Sequence, residues 1–515
     1  MDAQHRATWQ IIALSVVPCL LILLGIVLRA AAGPFESDPD YAYLLNGLGL
    51  LTLHSPGHYD HPGTTVQIIA ALVTLPAWLL SLPLYGMSGL VSAVLSHPEF
   101  FLRVINIVLI VADAAAAFYM GWRIRGATNL TAALAAQFSV LLSFSVMIGL
   151  NRVTPEPLLL ASSLALAGYL APAVLQPEHF RQTRAYALRL GALLGFALVT
   201  KITALPLLIA VFFLEDRRLR LAAAAAGVLT GLLLTLPIVI HYPHLAKWFV
   251  RLFIHTEAYG GGQVGVPAAS SLWHGIRSLL GQTPEIFVAF GFYVLLFPLW
   301  RGPTRRVIAI CAAILALGIL MVLKTPGARY LMPVIGAIAL ANAAIMSQLL
   351  LKRGTARIGS LFFAALLALG IWRNALATSA WARDAEQTQT DSQKLLAKMS
   401  ASGCRLIFYY EANAITYNLS FGDQYTPKRF ASDLDKLYPD TVFYDVFAHR
   451  FQTFVRPLSS KETDALLAAG RCVYLIGSPM ERYSDFGIPR TDLPLVARTS
   501  HDLAYSLAVY AWRPK

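Results

Sequence analysis

Three carboxylates stand together in Phe35-Glu36-Ser37-Asp38-Pro39-Asp40-Tyr41, directly after the first membrane-length apolar run of the chain. Asp38 and Asp40 flank Pro39, whose fixed φ holds the two acids in an extended or turn geometry with little freedom. A rigid acid pair at a membrane surface suits a general base, an acid that orients an attacking hydroxyl, or a pair of ligands to a divalent metal. The same residues also suit helix capping, because Asp40 would favour the positive N-terminal end of a helix from Tyr41 to Leu53. Both uses can hold together. Gly57-His58-Tyr59-Asp60-His61-Pro62-Gly63-Thr64 follows a few residues later and adds two imidazoles and a fourth acid.

Other loops supply cations. Asn151-Arg152-Val153-Thr154-Pro155-Glu156-Pro157 is very short, yet it offers Arg152 and Glu156 at the mouth of two spans, where an ordinary ion pair at a helix end is the plain alternative. Lys201 lies in the middle of an apolar stretch, and Lys324-Thr325-Pro326-Gly327-Ala328-Arg329-Tyr330 brings Lys324, Arg329 and the Tyr330 phenol to the start of a late span. Snorkelling explains any one of these cations; four of them on one face, beside acids, fit a phosphate held next to a base. Tyr259-Gly260-Gly261-Gly262, in a loop from His241 to Pro284, has the backbone freedom of a lid. His54, His58 and His61 with Asp60 match no helical zinc spacing. Asp113, the one acid of an otherwise uncharged span, is expected to face the bundle and to find a structural partner there. No Walker sequence, glycine-rich strand-to-helix turn or nucleophile elbow is present, which disfavours soluble nucleotide donors.

These residues need a membrane scaffold to hold them. Of 515 residues, 57% are hydrophobic and only 13% charged, so the chain must be polytopic. Ile11 to Leu28 carries no charge and, at about 1.5 Å per residue, covers most of a roughly 30 Å hydrocarbon core. It reads as an uncleaved first span, being longer than the apolar core of a signal peptide. Basic clusters at Arg123/Arg125, Arg181/Arg184/Arg189, Arg217/Arg218/Arg220, Arg301/Arg305/Arg306 and Lys352/Arg353/Arg357 belong in the cytoplasm. That sidedness requires Val66 to Tyr85, with Pro76 and Pro83, to be re-entrant or interfacial. It also requires Leu190 to Leu214 to go out and return, with Lys201 at the tip. The expected architecture is a mainly α transmembrane bundle of about eleven spans over residues 1–380, N-terminus inside, with a small α/β domain over 381–515 outside. Topology accounts for the net charge of +13, and nucleic acid is not an expected partner.

In the C-terminal region, Cys404 to Tyr410 and Cys472 to Gly477 read as buried strands, and Ser459 with Glu462 as a capping box. If the two strands are parallel neighbours, Cys404 and Cys472 meet and can oxidise outside the cytoplasm; two separate buried thiols are the alternative. Cys19 and Cys311 fall in spans as packing residues.

In order and topology, the motifs Ser37-Asp38-Pro39-Asp40-Tyr41, Arg152-Val153-Thr154-Pro155-Glu156, Leu198-Val199-Thr200-Lys201 and Arg329-Tyr330-Leu331-Met332-Pro333 resemble the GT-C glycosyltransferases. The resemblance is to the branch of the protein O-mannosyltransferases and the lipid A aminoarabinose transferase. It implies an enzyme of the bacterial inner membrane that moves a sugar from a polyprenyl-phosphate donor to an envelope acceptor (lipid, polysaccharide or protein) on the outer face, with inversion. It further implies Asp38 or Asp40 as base or acceptor-orienting acid, and Glu156 as a second acid. Arg152, Lys201 and Arg329 would stabilise the departing phosphate, with Tyr41, His58, His61, Tyr259, Lys324 and Tyr330 as further substrate contacts. The resemblance fixes no cofactor; were a divalent metal to take part, Asp38 and Asp40 would be its ligands. Relatives write Lys-Pro-Pro where this chain has His61-Pro62-Gly63, and a partly charged histidine is a weaker phosphate ligand. A flippase of lipid-linked sugars would show repeated halves, and none is seen; a non-catalytic assembly protein would tolerate loss of Asp38 and Asp40.

Overall fold

The computed structural model describes residues 3–32, 40–60, 63–86, 89–295, 297–351, 355–410, 412, 414–446, 448–468, 472–479, 493–499 and 507–512. They are mainly helical, with a small sheet near the C-terminus. Among the described residues seven helices are long and apolar enough to cross a membrane, or nine when each of two bent helix pairs is taken as one span. Large apolar side chains such as Leu23, Leu80, Leu232 and Leu361 remain exposed on them. In lipid such a coat is the low-energy surface, because only helices satisfy every backbone group there.

The chain divides into two compact units, the first made of Met1–Ile26, Tyr59–Val66 and Asn106–Thr378, the second of Val27–His58, Gln67–Ile105 and Ser379–Lys515.

In the first unit the Lys201 hairpin forms as expected. Helix Arg184–Thr200 ends at Lys201, which is extended, and a 3₁₀ segment Ile202–Phe213 leads back to helix Arg217–Leu234. A Cβ on Gly191 would lie 1.9 Å from the Ala223 carbonyl oxygen, and one on Gly195 would lie 2.4 Å from that of Gly227. The two helices therefore run side by side in the same direction at backbone contact, the packing small residues permit, and the segment between them must return. Gln182 ties the feet of the hairpin, donating to the Phe213 carbonyl at 3.1 Å and accepting from the Glu215 amide at 3.0 Å. Polar side chains stitch the helices inside the unit: Gln137 donates to the carbonyls of Leu14 and Ala117, Tyr293 to Asn342, and Asn342 to Ser139. Asp113 is fully buried, as a lone acid in a span must be.

Two expectations need correction. Residues 66–85 do not fold back as a re-entrant loop; they belong to one helix, Thr64–Tyr85, with Pro76 and Pro83 inside it, which leaves the interfacial form of that expectation standing beside a full span, for which the helix is long and apolar enough. Proline inside a transmembrane helix is tolerated where neighbours re-satisfy the freed backbone groups. The region from His241 to Pro284 is likewise not one long flexible loop. Helices Tyr242–Ile254 and Ala269–Gln282 occupy most of it, and each belongs to a bent pair, Leu236–Ile254 at 80° to Arg217–Leu234 and Ala269–Gln282 at 102° to Pro284–Leu295.

In the second unit a six-stranded sheet has the order β3-β2-β1-β4-β6-β5, with β1 Arg405–Phe408, β2 Phe443–Asp445, β3 Arg450–Gln452, β4 Val473–Gly477, β5 Leu495–Arg498 and β6 Ala508–Ala511. Strands β1 and β4 are parallel neighbours, Arg405 opposite Val473, so the preceding residues Cys404 and Cys472 meet and form a disulfide. Ile407, Tyr409, Leu475 and Tyr510 form the core of the sheet. The capping box is present: the Ser459 amide donates to Glu462 Oε2 at 2.7 Å and the Glu462 amide to Ser459 Oγ at 3.3 Å, opening helix Ser460–Ala468. Helix Asp40–Leu51 belongs to this unit and packs on helix Ile415–Gln424.

Candidate functional site

In the first unit the cations and acid of three separate loops converge. Glu156 is in the first turn of helix Pro155–Leu175, which Pro155 opens and Thr154 precedes in an extended conformation. Lys201 caps the C-terminal end of its helix. The Lys201 ammonium donates to Glu156 Oε1 at 2.6 Å, and the two side chains are 10% and 3% exposed. Thr154 also hydrogen-bonds Glu156. The Lys201 ammonium sits 4.5 Å above the Tyr330 ring, and Arg329 approaches the same ring at 5.2 Å while donating to the Tyr330 hydroxyl at 3.2 Å. Two cations thus share one aromatic platform beside one carboxylate. Close by in the chain, the Thr65 hydroxyl donates to that of Thr200, the residue before Lys201, at 2.9 Å.

Tyr259 joins this cluster through its hydroxyl, 2.7 Å from that of Tyr330. It stands at the tip of a tight hairpin. His255 pairs with Val264, the Thr256 amide donates to the Gln263 carbonyl, and the Glu257 amide to that of Gly261. Tyr259 holds a left-handed φ of +53°, next to Gly260 at +79°; for a residue with a Cβ this costs on the order of 1 kcal/mol and is kept where the surroundings require it. Lys324 braces the base of the hairpin, donating to the carbonyls of Leu252 at 2.6 Å and His255 at 2.7 Å at a helix C-terminus. Burial holds its pKa below the usual lysine value. Arg152 has its main chain anchored, its carbonyl accepting from Asn106 at 3.2 Å.

A second buried cluster belongs to the second unit. Asp40, 2% exposed, is the first residue of its helix, as the capping expectation required, and accepts from Arg29 at 2.7 Å. The other arm of Arg29 reaches Glu99 at 3.2 Å, and the Tyr41 hydroxyl donates to Glu99 Oε1 at 2.7 Å. Burial first, then the Glu99 carboxylate, push the Tyr41 phenol well above its ordinary pKa, so it stays a donor. His58 is buried between the rings of Tyr43 at 5.0 Å and Tyr425 at 4.7 Å. Its neighbour Gly57 is 2.4 Å from the Tyr425 carbonyl oxygen, measured from where a Cβ would stand, so only glycine passes there. Asn46 accepts from the Gly57 amide and Gln67 donates to the His58 carbonyl, which pins the segment. Asp38 and His61 lie outside the described residues.

Sequence reasoning missed Arg29 and Glu99. Each is a charge at a helix end, Arg29 in the last turn of Ala3–Ala32 and Glu99 in the first turn of Pro98–Ala127, and each reads locally as a complement to the helix dipole. It also missed the stack of Tyr59 on His241 at 4.4 Å in the first unit. Among the described residues no three His, Cys, Asp or Glu side chains gather as metal ligands, and Asp40 faces a guanidinium instead.

No protein-family model matches the sequence, and no curated protein does. Among solved structures the chain is similar in fold to ArnT from Cupriavidus metallidurans, a lipid A aminoarabinose transferase of the GT-C kind. Against the structure bound to undecaprenyl phosphate the identity is 13%, the coverage 96% of this chain and 97% of that one, and the TM-score 0.51. Against the apo structure the identity is 14%, with the same coverage and TM-score. The GT-C-like architecture expected from the sequence is the one found.

Proposed function

We propose that the chain is an integral-membrane glycosyltransferase that takes a sugar from a polyprenyl-phosphate carrier and delivers it to an envelope acceptor on the outer face, inverting the anomeric carbon. The observation that carries this reading is the buried Glu156–Lys201 pair with Arg329 on the Tyr330 ring. Two fixed cations against one carboxylate leave a positive excess in a poorly solvated place, which is what a departing phosphate needs. One such donor contributes roughly 3 kcal/mol to a transition state. The shared fold supports the donor class, since the ArnT structure holds undecaprenyl phosphate.

In this mechanism an acceptor oxygen attacks the anomeric carbon as the bond from that carbon to the phosphate oxygen breaks. The electron pair goes to the phosphate, whose growing charge Lys201 and Arg329 meet. Glu156 keeps the Lys201 side chain in place, and Tyr330 spaces the two cations. The acceptor proton leaves to a carboxylate. We assign that role to Asp38 rather than to Asp40, because a carboxylate held by Arg29 is a poor base. The sugar-transfer machinery is assigned to residues 1–380, and the disulfide supports an oxidising, extracytoplasmic setting for residues 381–515. The proposed location is the bacterial inner membrane.

Mass spectrometry of envelope lipids and glycans tests this, comparing cells with the wild type, no copy, or Glu156→Gln with Lys201→Gln at matched membrane levels. The paired change removes both charges and so strands neither. The expected result is one sugar mass missing from one envelope component in the null and in the double variant. An unchanged null profile, or a double variant that restores the wild-type profile, overturns the proposal.

A further inference from the structure

At the foot of the Lys201 hairpin, away from the cluster just described, lies a cavity of about 230 Å³. Val174, Phe213 and Val307 form apolar walls, and Glu215 and Arg306 are its charged lining, beside Pro303 in the first turn of helix Gly302–Val322. Arg306 donates to the Phe212 carbonyl at 2.9 Å and stands 3.5 Å from Glu215 Oε1. Arg220 donates to the carbonyls of Leu214 at 2.9 Å and Glu215 at 3.3 Å, with its guanidinium 5.6 Å over the Phe212 ring. Arg305 stands against the Phe297 ring at 4.7 Å. Arg217 and Arg218 open the next helix, whose cap is Asp216. Six arginines, Arg301 among them, therefore stand at or within a few residues of the rim, against the acids Glu178, Glu215 and Asp216.

Snorkelling would give such arginines a place at the membrane surface, but it would not give them a cavity. The cavity joins polar and apolar character: Arg306 and Glu215 stand in its lining, Arg220 reaches the main chain of that Glu215, the remaining walls are mostly apolar, and Phe212 and Leu208, 54% and 37% exposed, precede the lining residue Phe213 on the same hairpin segment. Guanidinium forks match phosphate oxygens. Arg301, at the N-cap of helix Gly302–Val322, makes no side-chain cap, so the early amides of that helix add partial positive charge. By volume the cavity has room for a phosphate with a small polar substituent.

We propose that this pocket seats the phosphate headgroup of an anionic glycerophospholipid, with an acyl chain lying along Phe212 and Leu208. Nothing in the sugar-transfer reading requires it. The test is native mass spectrometry of the full chain in detergent, titrated with phosphatidylglycerol or phosphatidylcholine. Phosphatidylglycerol adducts are expected to dominate and, in Arg220→Gln with Arg306→Gln, to fall on the order of tenfold or more. Val174→Trp fills the cavity and leaves every arginine in place, so it should lose the adduct as well; it decides the matter if the double variant does not fold. Equal retention of phosphatidylcholine overturns the proposal, as does an adduct that survives Val174→Trp, which would mean diffuse surface charge. Displacement by inorganic phosphate would mean a free-anion site, and displacement by polyprenyl phosphate a carrier site; either also overturns it.

Discussion

Each unit buries a three-charge cluster where helices end, and the two clusters are built on opposite plans. In the second unit, Arg29 ends one helix while Asp40 and Glu99 begin two others. All three charges agree with the helix dipoles, and the second acid has the Tyr41 phenol besides. Every charge of the cluster has a partner within it. In the first unit, Glu156 begins a helix and Lys201 ends one, again in agreement, but Arg329 stands at the start of the Ala328–Leu349 helix, where the dipole disfavours a cation. It is the one charge of the six that local structure does not call for. A cation kept against its helix points to an anion that arrives from outside, whereas charges that all follow their helices point to architecture.

The largest effect expected from this contrast is on folding. Arg29→Met leaves the buried Asp40 and the half-buried Glu99 without their guanidinium and should cost about 3 kcal/mol, seen as early melting and proteolysis of the second unit. Next is Arg329→Gln, which should lower sugar transfer by roughly 10²–10³-fold while shifting the melting point far less than Arg29→Met does. Turnover with a lipid-linked donor and thermal unfolding of the same preparations would compare the two. If Arg329→Gln unfolds the protein and Arg29→Met merely slows it, the assignment of one cluster to chemistry and the other to architecture is reversed.

What could be read in the sequence follows the range of the interactions. The Lys201 tip was legible because an apolar stretch with basic residues at both ends has to return, and the Gly191 and Gly195 contacts show that it does. The Cys404–Cys472 pairing was legible because each cysteine immediately precedes an apolar strand, so parallel pairing brings them together. Arg29 with Glu99 was not legible: the partners are 70 residues apart, and each looks complete as a local helix cap. Prolines misled in the opposite sense, since Pro76 and Pro83 read as breaks yet sit inside one helix. His58 has the residue type of a reactive group, but two tyrosine rings enclose it, and ring packing at that range leaves no mark in a single sequence.

The smallest expected effect probes the self-paired cluster from its neutral member. Tyr41→Phe deletes a hydrogen bond to a half-buried carboxylate, which should cost about 1.5 kcal/mol and, unlike Arg29→Met, should leave the Arg29 pairs to Asp40 and Glu99 standing. The pH dependence gives the sign. Burial and Glu99 raise the folded pKa of the Tyr41 phenol above its unfolded value, so folding favours the protonated form. The stabilisation is therefore complete below about pH 10, the ordinary tyrosine value, and is lost as pH rises through the higher folded pKa. The melting-point advantage of the wild type over Tyr41→Phe should stay constant from neutral pH to about pH 10 and shrink above it. An advantage that changes between pH 6 and 9 would mean that a different group titrates in this cluster, and that it is not the closed architectural node its helix ends imply.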